Sequence, residues 1–284
     1  MIFRAYAKIN IGLRILGKRP DGYHDIETIF HQVDLYDELE FHPNEIVKLS
    51  TSSPDVPCDS SNLCIRAAEL LRKHTESKNG IDIRLTKRIP VGGGLGGGSS
   101  DAATVLAALN KQWGIRMRAQ ELVSLAAELG SDVPFFLQGG TAVGTSRGET
   151  LDYFELDMPF WILTATPPIH VSTAWAYSNA RTHAAPGLPH LRILVERGIS
   201  EPRQMRDTVK NDFEQTVFQH HAPIAELKES LDRAGAVFSQ LSGSGSSVYG
   251  FFESRTSAQN ASSRLPQTLV TSLTAPDFKP IHGS

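Results

Sequence analysis

Hydrophobic and polar residues alternate along the start of the chain. Between Arg4 and Ile15 the apolar side chains recur at every second position, which predicts a β-strand with one buried face. Lys8 and Asn10 fall side by side on the opposite face of this strand. Apolar patterns predict further strands over 26–33, 35–41, 81–89, 161–164 and 248–252.

A helical period of apolar residues predicts three helices in the first half of the chain, over 63–74, 102–109 and 119–129. Ser99 or Ser100 is the expected N-cap of the second helix. Asp101 suits its first turn, because the positive end of the helix dipole stabilises a carboxylate. The segment 43–61 is rich in turn residues and is expected to be a loop.

A glycine run, Gly92–Gly98, joins the predicted strand 81–89 to the second helix. Six of its seven residues are glycine, so the backbone is open to close approach by another group. The helix N-terminus behind it presents free amides and the positive end of the dipole, which together bind phosphate. A flexible linker would be flanked by polar, structureless sequence, so a phosphate site is the favoured interpretation.

The glycine run fits two general nucleotide-binding patterns poorly. No lysine precedes Ser99, so the pattern G-x-x-x-x-G-K-[ST] is missing. The dinucleotide pattern G-x-G-x-x-G can be placed on Gly92–Gly97, and Glu121 lies near the distance expected for its acidic residue. Glu121, however, falls within a helical pattern rather than at the end of a strand. The dinucleotide pattern thus fits in part only, and a nicotinamide-dependent oxidoreductase is kept as the alternative to a phosphate-binding kinase loop.

Composition and charge narrow the choice of function. Of the 284 residues, 40% are hydrophobic and 21% are charged, as in soluble globular proteins. The formal net charge of −3 argues against broad binding to nucleic acid or an anionic membrane, and so against the alternative of an RNA-binding module. Cys58 and Cys64 are too few for a disulfide framework and lack a metal-binding spacing. No signal peptide or long apolar span is visible, so a cytoplasmic protein is expected.

Three motifs follow one another along the chain. Ala7–Asn10 reads A-K-I-N, the glycine run lies in P-V-G-G-G-L-G-G-G-S-S, and Ser242–Ser247 reads S-G-S-G-S-S. They resemble the three signatures of the GHMP kinase superfamily, which includes galactokinase, homoserine kinase and mevalonate kinase. The resemblance implies a two-domain α+β fold, with an ATP-binding domain over 1–155, a C-terminal domain over 156–284 and the active site in the cleft between them. ATP and Mg²⁺ are the implied cofactors. The residues implied to hold ATP are Pro90, Val91, Gly92, Gly93, Gly94, Leu95, Gly96, Gly97, Gly98, Ser99 and Ser100.

Arg19–His24 matches a further motif, R-x-D-G-Y-H. It resembles a signature of the member family whose substrate is a cytidine diphosphate derivative of methylerythritol. An aromatic ring can stack on a base and an imidazole can bond to a base edge, and the resemblance implies that Tyr23 and His24 hold cytosine in this way. The residues implied to bind substrate are Asn10, Tyr23, His24, Thr173 and Tyr177. The sequence leaves open whether Tyr177 or the neighbouring Trp175 completes the pocket.

Asp132 follows the predicted helix 119–129 and is flanked by apolar residues in G-S-D-V-P-F-F. A carboxylate in such surroundings requires a cation or hydrogen bonds, and Lys8 is the candidate partner. The segment resembles the family's catalytic-aspartate motif, which implies that Asp132 is the base and that Lys8 acts with it. Ser99 or Ser100 would supply a hydroxyl near Mg²⁺. Whether Arg147 reaches a phosphate or lies on the surface is left open.

The reaction implied by the resemblance is ATP-dependent phosphorylation of the 2-hydroxyl of that cytidine diphosphate derivative. It would give the 2-phosphate and ADP, in the non-mevalonate route to isoprenoid precursors. A different small-molecule kinase of the same superfamily is the nearest alternative, and R-x-D-G-Y-H is the motif that discriminates against it. The expected partner is a small molecule, not nucleic acid or a membrane, and the protein is expected to be a monomer or weak homodimer.

Overall fold

The computed structural model describes residues 2–180, 187, 189–276 and 278–280, and for Arg203 the backbone alone. The strands are β1 Ile2–Lys18, β2 His24–Asn44, β3 Val47–Thr51, β4 Gly80–Thr86, β5 Thr141–Ser146, β6 Thr150–Tyr153, β7 Trp161–Thr166, β8 Phe238–Leu241, β9 Val248–Phe252 and β10 Val270–Thr274. The helices are α1 Leu63–Thr75, α2 Gly97–Gln112, α3 Ala119–Leu129, α4 Val133–Gln138, α5 Thr173–Asn179, α6 Leu191–Ser200, α7 Pro202–Thr208, α8 Glu214–His220, α9 Ala222–Arg233 and α10 Arg255–Arg264. Among these helices, none combines the length and apolar character needed to span a bilayer.

The strands form two sheets, each covered by helices, so the fold is α+β. The larger sheet has the order β3-β4-β2-β5-β6, with β1 paired to β2, and the smaller sheet has the order β10-β7-β9-β8. The pair β3–β4 is parallel, whereas β1–β2 and β7–β9 are antiparallel. One apolar core lies between the larger sheet and α1–α4, and a second lies between the smaller sheet and α8–α10. A third core joins β1 and β2 to β8 and β9.

β1 departs from the expected strand with one buried face, because both of its faces are covered between Ala5 and Leu13. Ile9 lies in the core that joins β1 to the smaller sheet. Lys8, on the other face, is covered by the glycine run, where Gly94 O accepts a hydrogen bond from Lys8 Nζ at 3.0 Å. Alternation alone could not reveal this, since the covering segments come from far along the chain.

The strands predicted over 26–33 and 35–41 are one continuous strand, β2. The polar residue Asp34 interrupts the apolar pattern without ending the strand. Its backbone N–H donates to Thr274 Oγ1 (2.8 Å), and its carbonyl accepts from Ser272 Oγ (3.0 Å), so β10 satisfies this position from the smaller sheet. A tertiary contact therefore replaces the expected break.

Two other predictions of secondary structure were wrong, and three predicted elements were confirmed. The segment expected to be a loop contains β3, because Val47–Thr51 pairs with β4. α2 begins at Gly97, with Gly96 as its N-cap, rather than after Ser99 or Ser100. Asp101 consequently lies in the second turn. The helices near 63–74 and 119–129 and the strand 248–252 lie as predicted.

Candidate active site

The glycine run forms an open turn that leads into α2. Gly92, Gly94 and Gly96 have φ of +70°, +77° and +72°, which is the left-handed region that glycine adopts without strain. The first amide that bonds within the helix is Ser100 N, which donates to Gly96 O at 2.9 Å. The amides ahead of it have no intrahelical acceptor. The run therefore presents backbone donors and the positive end of a helix dipole to the adjoining cavity.

A second loop, the serine loop Ser242–Ser247, folds back on the glycine run. Ser242 Oγ donates to Gly94 O at 3.0 Å, and Ser247 N donates to Gly93 O at 3.0 Å. The approach is so close that a Cβ on Gly94 would overlap the carbonyl oxygen of Ser242. The two loops thus fix each other, and one side of the site belongs to each sheet.

Lys8 and Asp132, predicted to pair, form an ion pair at 3.4 Å between Nζ and Oδ2. Lys8 is only 4% exposed. Burial lowers the pKa of its ammonium, and the nearby negative charge of Asp132 opposes that shift. Asp132 stands at the start of α4, whose apolar residues Val133–Phe136 turn into the core. The carboxylate itself is not enclosed by them, since its side chain is 34% exposed and lines the cavity.

Asn10 holds the ammonium of Lys8 in place. Its Oδ1 accepts from Lys8 Nζ at 2.6 Å, and its Nδ2 donates to Thr28 Oγ1 at 2.9 Å. Thr28 in turn donates to Gly12 O at 2.6 Å. Part of the hydrogen-bonding capacity of Asn10 therefore serves Lys8, although Asn10 also lines the cavity.

The two serines that follow the glycine run lie in different environments. Ser100 is buried, and its hydroxyl donates to Tyr6 O at 2.7 Å, which ties α2 to β1. Ser99 lines the cavity instead. The hydroxyl available to a ligand at the helix N-terminus is thus that of Ser99.

Tyr23 and His24 stand at the turn between β1 and β2. Arg19 N donates to Tyr23 O (2.8 Å), and Tyr23 N donates to Asp21 Oδ1 (3.1 Å), so the motif R-x-D-G-Y-H closes its own turn. Arg19 also donates through Nη1 to Ser146 Oγ at 2.9 Å, which fixes the turn to the end of β5. The turn leaves the Tyr23 side chain 55% exposed.

Tyr177, rather than Trp175, lies against His24. Their rings stack with centroids 5.0 Å apart and an interplanar angle of 13°. Burial raises the pKa of the Tyr177 phenol, and the negative charge of Asp132 adds to the shift. Trp175 packs edge-on against His220 at 4.9 Å. Thr173 Oγ1 lies 3.0 Å from Ser244 Oγ and lines the cavity.

One cavity of about 440 Å³ brings several of these groups together. It is lined by the glycines of the glycine run, the Lys8–Asp132 pair, Tyr177 and the segment around Val56–Leu63. That last segment was missed, because its turn-rich sequence carries no sign that it folds back towards the glycine run. Arg147 also lines the cavity, with its side chain 30% exposed. Tyr23 and His24 are not among the lining residues. They adjoin the cavity, because Arg147 lies over the Tyr23 ring and Tyr177 stacks on His24.

A buried charge cluster beneath the glycine run was missed as well. Lys87 Nζ bonds to Asp37 Oδ2 and, at 2.8 Å, to Asp101 Oδ2. Asp37 Oδ1 accepts from the backbone N–H of Ile89 at 2.8 Å. Burial, reinforced by the charge of Asp37 and opposed by Lys87, raises the pKa of Asp101 to about 7. Asp101 Oδ1 has no hydrogen-bond partner among the described residues. The cluster joins β2, the approach to the glycine run and α2.

Comparison with known proteins gives consistent matches over nearly the whole chain. The family models for the GHMP kinases N terminal domain and the GHMP kinases C terminal match residues 62–140 and 194–271. Proteins named 4-diphosphocytidyl-2-C-methyl-D-erythritol kinase are 46% identical in Prosthecochloris aestuarii, with 97% of each chain covered, and 43% identical in Pelodictyon phaeoclathratiforme, with 98% covered.

The solved structures agree with these matches. A crystal structure of 4-(cytidine 5'-diphospho)-2C-methyl-D-erythritol kinase superposes with a TM-score of 0.82 at 33% identity, covering 96% of this chain and 98% of that one. Homoserine kinase from Cytophaga hutchinsonii superposes with a TM-score of 0.72 at 18% identity, covering 96% and 93%, which shows a shared fold.

Proposed function

The chain belongs to the 4-diphosphocytidyl-2-C-methyl-D-erythritol kinases of the GHMP kinase family, and we propose that its cavity transfers the γ-phosphoryl group of ATP to the 2-hydroxyl of 4-(cytidine 5'-diphospho)-2-C-methyl-D-erythritol. The products are the 2-phosphate and ADP, in the non-mevalonate route to isoprenoid precursors. The enzyme is thus a small-molecule kinase that uses ATP. We further propose that residues 1–155 form the ATP-binding domain and residues 156–284 the C-terminal domain.

The observation that carries the mechanism is the Lys8–Asp132 pair beside the glycine run. The 2-hydroxyl oxygen forms a bond to the γ-phosphorus while the bond to the bridging oxygen breaks, and ADP leaves with that electron pair. Asp132, whose carboxylate faces the cavity, accepts the hydroxyl proton. Lys8, held by Asn10 and by Gly94 O, stabilises the negative charge of the Asp132 carboxylate and that of the transferred phosphoryl group.

The backbone of the glycine run and the N-terminus of α2 suit the β- and γ-phosphates of ATP. A side chain at Gly94 would meet the serine loop and one at Gly96 would meet Phe136, so packing within the protein requires glycine at both positions and leaves the run as bare backbone. Mg²⁺ bound with ATP would neutralise phosphate charge. Ser99 is the residue suited to Mg²⁺, because it lines the cavity, whereas the hydroxyl of Ser100 is bonded to Tyr6 O. We place adenine against the segment around Val56–Leu63.

The acceptor substrate occupies the other part of the cavity. Its cytosine extends past the lining residues Tyr177 and Arg147 to Tyr23 and His24, which contact them, and Thr173 and Asn10 line the path to the reacting hydroxyl. The partner of the protein is therefore a small molecule. The free thiols Cys58 and Cys64 fit a reducing cytoplasm, and a monomer or weak homodimer is sufficient because the site is built from one chain.

A coupled ADP-release assay tests this function. Three acceptors are compared in parallel: the cytidine diphosphate derivative of methylerythritol, homoserine and mevalonate. We expect acceptor-dependent ADP release with the first alone, and almost none from Asp132→Asn with any acceptor. Equal or faster turnover of homoserine or mevalonate would overturn the substrate assignment. Release that is independent of any acceptor would overturn the kinase reaction itself.

A further inference from the structure

Arg147 lies in the turn between β5 and β6, next to the cavity. Its backbone N–H and its Nε donate to the two carboxylate oxygens of Glu149, at 2.8 and 3.1 Å. Its guanidinium carbon stands 4.9 Å from the ring centroid of Tyr23. Within the part of the chain that the structure describes, no residue bonds to its two terminal amino groups. Glu149 and Tyr23 thus orient a guanidinium whose outer edge remains available.

The covalent order of the substrate defines what should lie at this position. Cytosine and ribose are joined to the methylerythritol by a diphosphate. If the base lies at Tyr23 and His24 and the reacting hydroxyl at Asp132, the diphosphate must cross the space between them. Gly148, the neighbour of Arg147, is so close to Asp132 that a Cβ on it would be 3.8 Å from Oδ1. The two residues Arg147 and Gly148 together therefore reach from the Tyr23 ring to Asp132.

We propose that Arg147 binds the diphosphate of the acceptor substrate and makes the enzyme prefer nucleoside diphosphates over nucleosides. This inference rests on the proposed function. A guanidinium presents parallel N–H donors that match phosphate oxygens, and hydrogen bonds between ionised groups are stronger than neutral ones. Its side chain is 30% exposed, so the diphosphate displaces water rather than packed side chains.

The structure also permits a purely structural role, in which Arg147 only holds the Tyr23 ring through a cation–π contact. The two roles differ in which ligands they affect. If Arg147 binds the diphosphate, its loss weakens the binding of cytidine diphosphate and leaves the binding of cytidine unaffected. Loss of support for Tyr23 weakens both ligands by the same factor, because both carry the base.

Calorimetry with cytidine and cytidine diphosphate separates these roles, with the ATP site filled by a non-hydrolysable ATP analogue. The variants are Arg147→Met and Arg147→Lys. Arg192→Met is the matched control, because Arg192 also lies over an aromatic ring (Phe154, 4.5 Å) and pairs with Glu196 (2.9 Å). We expect Arg147→Met to weaken cytidine diphosphate about tenfold while cytidine changes less than about twofold, as befits loss of a charge-assisted hydrogen bond. Arg147→Lys should retain part of the preference, and Arg192→Met all of it.

Each other outcome has a distinct meaning. If Arg147→Met binds both ligands as the wild type does, or weakens both equally, the diphosphate role is overturned while the proposed function stands. If the wild type shows no ADP release with the cytidine diphosphate derivative of methylerythritol, the proposed function fails and this inference fails with it. In kinetics, Arg147→Met should raise the KM of the acceptor and leave the KM of ATP unchanged.

Discussion

The contact between the glycine run and the serine loop predicts a large effect of one methyl group. In Gly94→Ala the new Cβ would overlap Ser242 O and lie 3.1 Å from Gly245 O, at a residue with φ of +77°. The left-handed conformation costs an L-residue roughly 1–2 kcal/mol. Forcing packed backbone apart costs about 1–3 kcal/mol more. We therefore expect the free energy of unfolding to fall by about 2–5 kcal/mol.

Gly98→Ala is the matched control in the same run. A Cβ on Gly98 meets only Leu63 Cδ1, at 3.7 Å, and its φ is not in the left-handed region. Gly98 lies within α2, where alanine is favoured over glycine by roughly 0.5–1 kcal/mol. The stability of Gly98→Ala should thus equal or exceed that of the wild type.

Urea unfolding of the wild type and both variants measures the difference. Gly94→Ala should also lose turnover, because Gly94 O accepts from both Lys8 Nζ and Ser242 Oγ. Equal unfolding free energies for the two variants would refute the reasoning, since it depends on the close approach at Gly94 and open space at Gly98. A stable but inactive Gly94→Ala would refute the energetic part alone.

Three further predictions concern the charge cluster and the base pocket. Because the pKa of Asp101 is raised from 3.8 to about 7 in the folded state, its contribution to stability is full at low pH and is lost as pH rises through 7. Urea unfolding at pH 5 and pH 8 measures this effect. The free energy of unfolding of the wild type should fall by about 2–3 kcal/mol between the two pH values, and that of Asp101→Asn should lack this loss. The same change with pH in both proteins would contradict the prediction. Tyr23→Ala should weaken acceptor binding by about 1–3 kcal/mol, seen as a raised KM of the acceptor with the KM of ATP unchanged. An equal rise in both KM values would contradict the placement of Tyr23 in the acceptor site. His24→Ala should narrow the ratio of kcat/KM between cytidine and uridine analogues, and equal losses for both would remove its role in reading the base.

Local patterns predicted the parts of the fold that depend on local chemistry. The helix 119–129 has an apolar period and ends before Gly130, and it lies as predicted. The glycine run predicted that another group could approach its backbone closely. The serine loop does so, through its hydrogen bonds to Gly93 O and Gly94 O. The pairing of Lys8 with Asp132 was predicted from the expectation that apolar residues enclose the carboxylate; the pair is present, although the Asp132 side chain is 34% exposed.

What the sequence could not supply are contacts between segments far apart in the chain. Asp37 and Lys87 are separated by fifty residues, and nothing in either stretch indicates that they meet beneath the glycine run. β3 forms because β4 lies beside it, although its five residues are weakly apolar. The start of α2 was misplaced because Ser99 and Ser100 resemble capping residues, whereas Gly96 adopts the conformation that begins the helix.

The most direct test of the account is a double-mutant cycle on Lys8 and Asp132, with ADP release measured on the cytidine diphosphate derivative of methylerythritol. The ion pair at 3.4 Å, with Lys8 buried, predicts that the two side chains act as a unit. Asp132→Asn and Lys8→Met should each lower kcat about a hundredfold or more with ATP affinity little changed, and the double variant should be no slower than the slower single variant. Turnover of Asp132→Asn near the wild-type rate, or losses that multiply in the double variant, would contradict the proposed mechanism.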